Sequence, residues 1–222
     1  MDVWRIEVRH PAGDLARLLA PDEAERAARF RFERDRDSFV TARAGVRTLA
    51  ASYLGIAPED VVFGYGPKGK PELGGLAFNV SHAGDVVLAA FAPSGRVGVD
   101  VETLRPDVEM RALARRFFTT AENAALERLS GDDLVRGFYG CWTRKEAFVK
   151  AVGEGLSFEL DRVEVSVPPA PARVLAIDGD EGAAGAWTMA DVDAGPGYAA
   201  AVVIDEPDVE VVVREWPESA AA

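Results

Sequence analysis

Two short stretches hold carboxylates and ammonium groups at spacings that could do chemistry. The first is "RVGVDVE", residues 96–102. It alternates strictly, with Val97, Val99 and Val101 on one face of a predicted strand and Gly98, Asp100 and Glu102 on the other. Residues two apart in a strand rise about 6.6 Å with side chains on the same side, so Asp100 and Glu102 can converge on one cation. Two carboxylates with no nearby His or Cys favour a hard ion. Mg²⁺ fits, because it takes one or two carboxylates and is completed by substrate phosphates. A half-buried strand with a solvated acidic face is the alternative. The second stretch is "WTRKEAFVK", residues 142–150. It sets Lys145, Glu146 and Lys150 in a run, Phe138 to Val152, whose apolar residues lie on nearly every face of a helix. Such a helix is normally buried, so its charges must be solvated at an edge, paired, or directed at a ligand. Glu146 and Lys150 stand at i, i+4 in the favourable order, which permits a plain structural pair. Glu146 could instead give the cation a third carboxylate.

Two weaker signals accompany these. "FNVSHAGD" reads as a strand running into a turn, with Gly84 permitting the bend. Ser81 and His82 at its end could donate to phosphate oxygens, or simply cap the turn. "GYGPKGKP" is a Gly-rich loop with two lysines, but no Gly-Lys-Ser/Thr opens a helix, so it is not a Walker A loop. All four lysines (Lys68, Lys70, Lys145 and Lys150) fall in this loop and in the second stretch; the other 21 of the 25 basic residues are Arg. A chain that otherwise prefers Arg suggests that a compact ammonium is wanted at these places.

These residues need elements to position them. Residues 2–8 read as a strand, 21–33 as a helix opened by Pro-Asp, and 37–54 as a helix stopped by Gly55. Strands are expected at 76–80, 85–92 and 96–102, with "PSG" as a hairpin turn between the last two. Helices follow at 108–118, 120–129 and 133–152, ended by Gly153 and Gly155. The rest is strand-like: 162–167, 172–177, 183–193, 197–205 and 209–213. The final "WPESAAA" reads as a short disordered tail. Helices then strands occur twice, and "GGLAFNVSH" is echoed by "EGLSFELDR". Two α+β halves, 1–104 and 105–222, with a ligand cleft between them, are the expectation.

Composition narrows the class. The 222 residues, 48% hydrophobic and 28% charged, suit a globular protein with a full core. No apolar run reaches membrane-spanning length, and the N-terminus lacks a secretory pattern. The one cysteine, Cys141, leaves no internal disulfide and suits a reducing cytoplasm; beside Trp142 it reads as core packing. A net charge of −12 argues against nucleic-acid binding as the main task.

Taken together, "GKP…FNVSHAGDVVLAAF…VGVDVE", "RRFFTTAE" and "WTRKEAFVKAVGEGL" resemble the motif series of the 4′-phosphopantetheinyl transferases of the surfactin-synthetase type. The resemblance covers roughly residues 20–160. It implies a pseudo-twofold pair of α+β halves, and two halves within one chain point to a monomer. It implies transfer of the phosphopantetheine arm of coenzyme A to a serine of an apo acyl or peptidyl carrier protein, with Mg²⁺, releasing adenosine 3′,5′-bisphosphate. Fatty-acid, polyketide and nonribosomal-peptide carriers stay open. By the resemblance, Asp100, Glu102 and Glu146 would hold the metal, Glu146 would be the general base, and Lys150 would face the diphosphate. Arg26, Lys68, Gly69, Lys70, Pro71, Ser81 and His82 would contact coenzyme A. Glu23 and Ala24 stand where such members often carry basic residues, so the holder of the nucleotide 3′-phosphate is unassigned. Arg43 and Arg47 could contribute or lie solvated on their helix. Carriers of this kind are generally acidic, so "MRALARRFFTT" is expected to dock one through Arg111, Arg115 and Arg116, with Phe117 and Phe118 as apolar anchors. A non-catalytic coenzyme A or carrier-protein binder is the alternative.

Overall fold

The computed structural model describes residues 1–66, 68–155 and 158–217. The chain opens with β1 (Asp2–Glu7), α1 (Pro21–Ala28) and α2 (Glu33–Leu54). Then come β2 (Gly64–Tyr65), β3 (Pro71–Glu72), β4 (Ala77–Ala83), β5 (Val86–Ala92) and β6 (Val97–Thr103). Three helices follow: α3 (Met110–Phe117), α4 (Thr120–Glu127) and α5 (Gly131–Val152). The last elements are β7 (Val163–Val165), β8 (Val174–Ile177), α6 (Glu181–Ala184), β9 (Thr188–Asp191), β10 (Tyr198–Ile204) and β11 (Val212–Glu215). Helix ends follow local chemistry. Pro21 begins α1, Thr119 and Glu122 form a capping box on α4, and α2 and α5 both stop at a left-handed glycine, Gly55 and Gly153.

Two sheets form the centre, ordered β11-β1-β5-β4 and β6-β10-β9. The alternation of β6 sets the layers. Val97, Val99 and Val101 pack with Val3, Leu88, Ala90, Val202 and Ile204, so the inner faces of the two sheets meet. α2 covers the outer face of the first sheet, where Val40, Ala44 and Leu49 join Ile6, Val87 and Phe91. α5 covers the outer face of the second, where Ala147, Phe148 and Ala151 join Ala201 and Val203. The fold is α+β, a pseudo-twofold pair of helix-on-sheet units set back to back.

The "PSG" turn is a correction. It makes no hairpin, because β5 and β6 lie in different sheets. Pro93-Ser94-Gly95 instead carries the chain from one sheet to the other, and the hairpin is β4–β5, with Ala83 opposite Val86. Each sheet also draws a strand from across residue 104: β6 ladders with β10, and β11 returns to pair with β1 in parallel. The final segment is therefore not all tail. Trp216 is buried in the first unit's core, while residues 218–222 lie outside the described residues. α2 starts four residues earlier than its apolar pattern does, since Glu33–Arg36 has no apolar face to read. Of the strand expected at 183–193 only Thr188–Asp191 forms, and a turn of helix, Glu181–Ala184, capped by Asp180, precedes it.

Candidate active site

β6 and α5 build the site by lying in direct contact. The acid face of β6 turns toward α5, with Gly98 and Asp100 buried and Glu102 half-buried. At Gly98 a Cβ would stand 1.9 Å from the carbonyl oxygen of Ala147, so the helix backbone rests on the strand itself. That approach sets Glu146 and Lys150 beside Asp100. Lys150 Nζ donates to Asp100 Oδ1 at 2.6 Å and to Ser81 Oγ at 2.8 Å, and Ser81 Oγ donates to Asp100 Oδ1 at 2.9 Å. The Glu146–Lys150 pair permitted by sequence is not the ion pair formed: Lys150 pairs with Asp100. Ser81 and Asn79, on β4, have a further task. Their side-chain oxygens accept the buried amides of Val101 and Val99, at 3.4 and 2.9 Å, joining β4 to β6 where no ladder does.

The three carboxylates are strained by burial and by one another. Burial pushes the Asp100 carboxyl up, opposed by Lys150 and Ser81. Burial and then the charge of Asp100 push Glu146 up, and the same two causes push Glu102 up. Asp100 Oδ2 is buried with no hydrogen-bond partner. Among the described residues, no three His, Cys, Asp or Glu side chains stand together as a metal cluster, and Lys150 takes one oxygen of Asp100. The donor set still fits a hard dication. It is all oxygen, under-neutralised, and includes one buried oxygen without a donor.

A cavity of about 710 Å³ opens beside this centre. Its lining includes Lys68, Gly69, Lys70 and Pro71, the site residues Glu146 and Lys150, and Arg116, Phe117, Trp142 and Phe158. Lys70 is tied down: its ammonium donates to the carbonyls of Lys150, Val97 and Ala151, at 2.6, 3.1 and 3.3 Å. It pins the C-terminus of α5 to the start of β6. Lys68 donates to the Glu154 carbonyl at 2.9 Å.

Other expected residues lie elsewhere. His82 is exposed on the face of β4 opposite Ser81 and does not line the cavity. Arg26 sits over the Phe39 ring on the outer side of the first unit, also away from the cavity. Arg43 and Arg47 are not solvated on their helix: both pair with buried Glu23, and Arg47 also donates to the carbonyls of Pro58 and Val61 at 2.8 and 2.7 Å. In the Arg-Phe stretch, Arg111 donates to the carbonyls of Leu126 and Leu129, at 3.4 and 2.9 Å, which caps the end of α4. Phe118 is buried against Phe138, so it anchors the core and offers nothing to a partner. Arg115 and Arg116 are exposed, and Phe117 is half-buried.

Lys145 has a different role from its neighbours. It is fully buried and pairs with Glu122 at 2.6 Å; Glu122 also accepts from the amides of Thr119 and Val165, at 2.8 Å each. Burial pushes the Cys141 thiol well up, as suits core packing. Sequence reasoning passed over Gly98, Asn79 and the 158–161 rim. For Gly98 a signal existed: a glycine two residues before Asp100 on its own face.

Comparison with known proteins gives a consistent result. A family profile described as 4′-phosphopantetheinyl transferase superfamily matches residues 96–203, and one described as 4′-phosphopantetheinyl transferase, N-terminal, matches residues 8–94. The chain is 35% identical over 212 residues to 4′-phosphopantetheinyl transferase HetI of Nostoc, covering 91% of this chain and 86% of the relative. It is 31% identical over 173 residues to the 4′-phosphopantetheinyl transferase of Bacillus subtilis, covering 74% and 76%. A crystal structure of a holo-(acyl-carrier-protein) synthase from Bacillus anthracis, in complex with CoA (3′,5′-ADP), is similar to 51% of this chain and 96% of its own, at TM-score 0.42 and 22% identity.

Proposed function

We propose that this chain, which belongs to the 4′-phosphopantetheinyl transferase superfamily, transfers the phosphopantetheine arm of coenzyme A to a serine hydroxyl of an apo acyl or peptidyl carrier protein. The observation that carries this reading is the placement of Glu146 and Lys150 on one cavity wall, backed by Asp100 and flanked by Lys68 and Lys70. The paired Val-Asp-Val-Glu and Trp-x-x-Lys-Glu-x-x-x-Lys motifs support the surfactin-synthetase type.

Phosphoryl-type transfer needs positioning and charge stabilisation more than covalent help. Asp100, Glu102 and Glu146 would hold Mg²⁺, which supplies charge neutralisation at the diphosphate when bound. Lys68, Gly69, Lys70 and Pro71 line the cavity and set positive charge beside it, which suits an anionic nucleotide. Glu146 takes the proton of the attacking serine; its raised pKa makes it a stronger acceptor than an ordinary carboxylate. The serine oxygen bonds to phosphorus, the diphosphate P–O bond breaks, and adenosine 3′,5′-bisphosphate leaves with its new charge facing Lys150. Exposed Arg115 and Arg116, with Phe117 and Trp142 of the cavity lining, meet the acidic carrier.

The test is the intact mass of an apo carrier protein after incubation with this protein, coenzyme A and Mg²⁺. A gain of one phosphopantetheine arm, lost with Glu146→Gln, is expected. No gain with carriers of all three classes, while coenzyme A still binds by calorimetry, would leave the non-catalytic binder as the reading.

A further inference from the structure

Lys150 lies between the cavity and Asp100. Its side chain is 30% exposed and lines the cavity, whereas that of Asp100 is 6% exposed and does not. One Asp100 oxygen, Oδ1, receives both Lys150 and Ser81. The other, Oδ2, is buried and receives nothing. A buried carboxylate oxygen left without a partner is unfavourable, so Asp100 holds one cation and still has an unmet demand. Among the described residues, Glu102 and Glu146 form no salt bridge of their own. Asp100 has Lys150 as its ion pair, while Glu102 feels the charges of Arg105 and Lys150 without pairing to either.

From this geometry we infer that Lys150 and a divalent cation compete for Asp100: when the cation binds there, Lys150 leaves its pair and swings into the cavity to meet the diphosphate. The inference rests on the magnesium reading above and adds an order of events to it. A dication on the free Oδ2 would stand within one carboxylate's width of the ammonium on Oδ1, and the two cations would repel strongly. The helix cannot retreat to relieve it. Gly98 lies against the Ala147 carbonyl, and Lys70 holds the Lys150 and Ala151 carbonyls. Only the four-carbon stem of Lys150 is free to swing, and the cavity is the open side. Its departure also releases the acceptor lone pair of Ser81. Loading of the metal and readiness of the diphosphate-facing lysine thus become one event.

Calorimetric titration of Mg²⁺ alone into wild type and Lys150→Met tests this. Removing the competing ammonium is expected to tighten Mg²⁺ binding about tenfold, within the usual range of site coupling. Equal affinities would overturn the inference and leave the magnesium reading standing. No Mg²⁺ binding by either protein would overturn both. Since Lys150→Met leaves Asp100 without its counter-charge and could unfold the chain, the wild type supplies a second readout. Reductive dimethylation of Lys150, followed by peptide mass, should quicken at least about threefold with Mg²⁺ as the ammonium leaves its pair. Fully buried Lys145 should stay unlabelled throughout. A Lys150 rate unmoved by saturating Mg²⁺ would overturn the inference.

Discussion

Gly98 and Ala147 are in contact so close that any side chain on residue 98 would collide with helix backbone, a Cβ standing 1.9 Å from the Ala147 oxygen and 2.5 Å from the Ala151 nitrogen. Backbone cannot yield as a side-chain tip can. Gly98→Ala is therefore expected to cost at least about 3 kcal/mol, the upper range for overpacking. It should also move Glu146 and Lys150 away from Asp100. Urea unfolding gives the first effect, and carrier modification at a temperature where the variant stays folded gives the second. An unchanged urea midpoint would show that α5 can slide off β6.

The Lys145–Glu122 pair is buried on both sides, with side chains 0% and 1% exposed. Removing one partner leaves a lone charge in the core. Lys145→Met is expected to destabilise by about 3–5 kcal/mol. The loss should be largely recovered in Lys145→Met/Glu122→Gln, which removes both charges and keeps an acceptor for the Val165 amide. Chemical denaturation of the single and double variants decides this; equal losses in both would place the cost in packing, not in charge.

Glu146 gives a prediction with a sign in pH. Its pKa is raised in the folded state, so the folded chain holds more protons than the unfolded one in that window. The stability this contributes is fully present below the unfolded carboxylate pKa and is lost as pH rises through the folded pKa. Glu146→Gln should match wild type near pH 4, where the glutamate is protonated. Near pH 7.5, where burial and the Asp100 charge penalise its ionised form, the variant should melt measurably higher than wild type. The same variant should lose at least about 100-fold in transfer rate, as for a general base. Melting curves at the two pH values, in chelator, provide the check. A variant that melts lower at pH 7.5 would show that Glu146 is a stabilising charge.

The arginines of α3 separate into two kinds. Arg111 caps α4, whereas Arg116 is exposed at the cavity rim. Arg116→Glu is expected to raise the carrier KM severalfold with coenzyme A KM and melting temperature unchanged. Arg111→Glu should instead lower the melting temperature. Steady-state kinetics with an acidic apo carrier distinguishes them; an unchanged carrier KM for Arg116→Glu would remove this rim from the docking surface.

Glu23 explains why a second pair of arginines cannot reach a ligand. It pairs with both Arg43 and Arg47, and Arg47 is 2% exposed. The three side chains form a closed ionic core in the first unit. Glu23→Gln is expected to destabilise the first unit by about 3–5 kcal/mol, because two cations lose their partner. Denaturation measured on that variant checks the magnitude.

The sequence by itself determined the local facts. Alternation in "VGVDVE" put Asp100 and Glu102 on one face, helical spacing put Glu146 and Lys150 on another, and Gly55 and Gly153 ended the two long helices. These depend on a residue and its near neighbours, so periodicity and capping chemistry reveal them. Only the tertiary structure decided the partners. Lys150 reaches Asp100 across 50 residues, not Glu146 across four, because α5 rests on β6 at Gly98. Lys145 finds Glu122, Lys70 finds the end of α5, and Arg111 finds the end of α4. The "PSG" turn changes sheets where local propensity gives a hairpin, since β6 gains a full ladder on β10 and a buried face under α5. Choices among distant partners are settled by which burial and which counter-charge the whole chain can satisfy at once, and no local window contains that information.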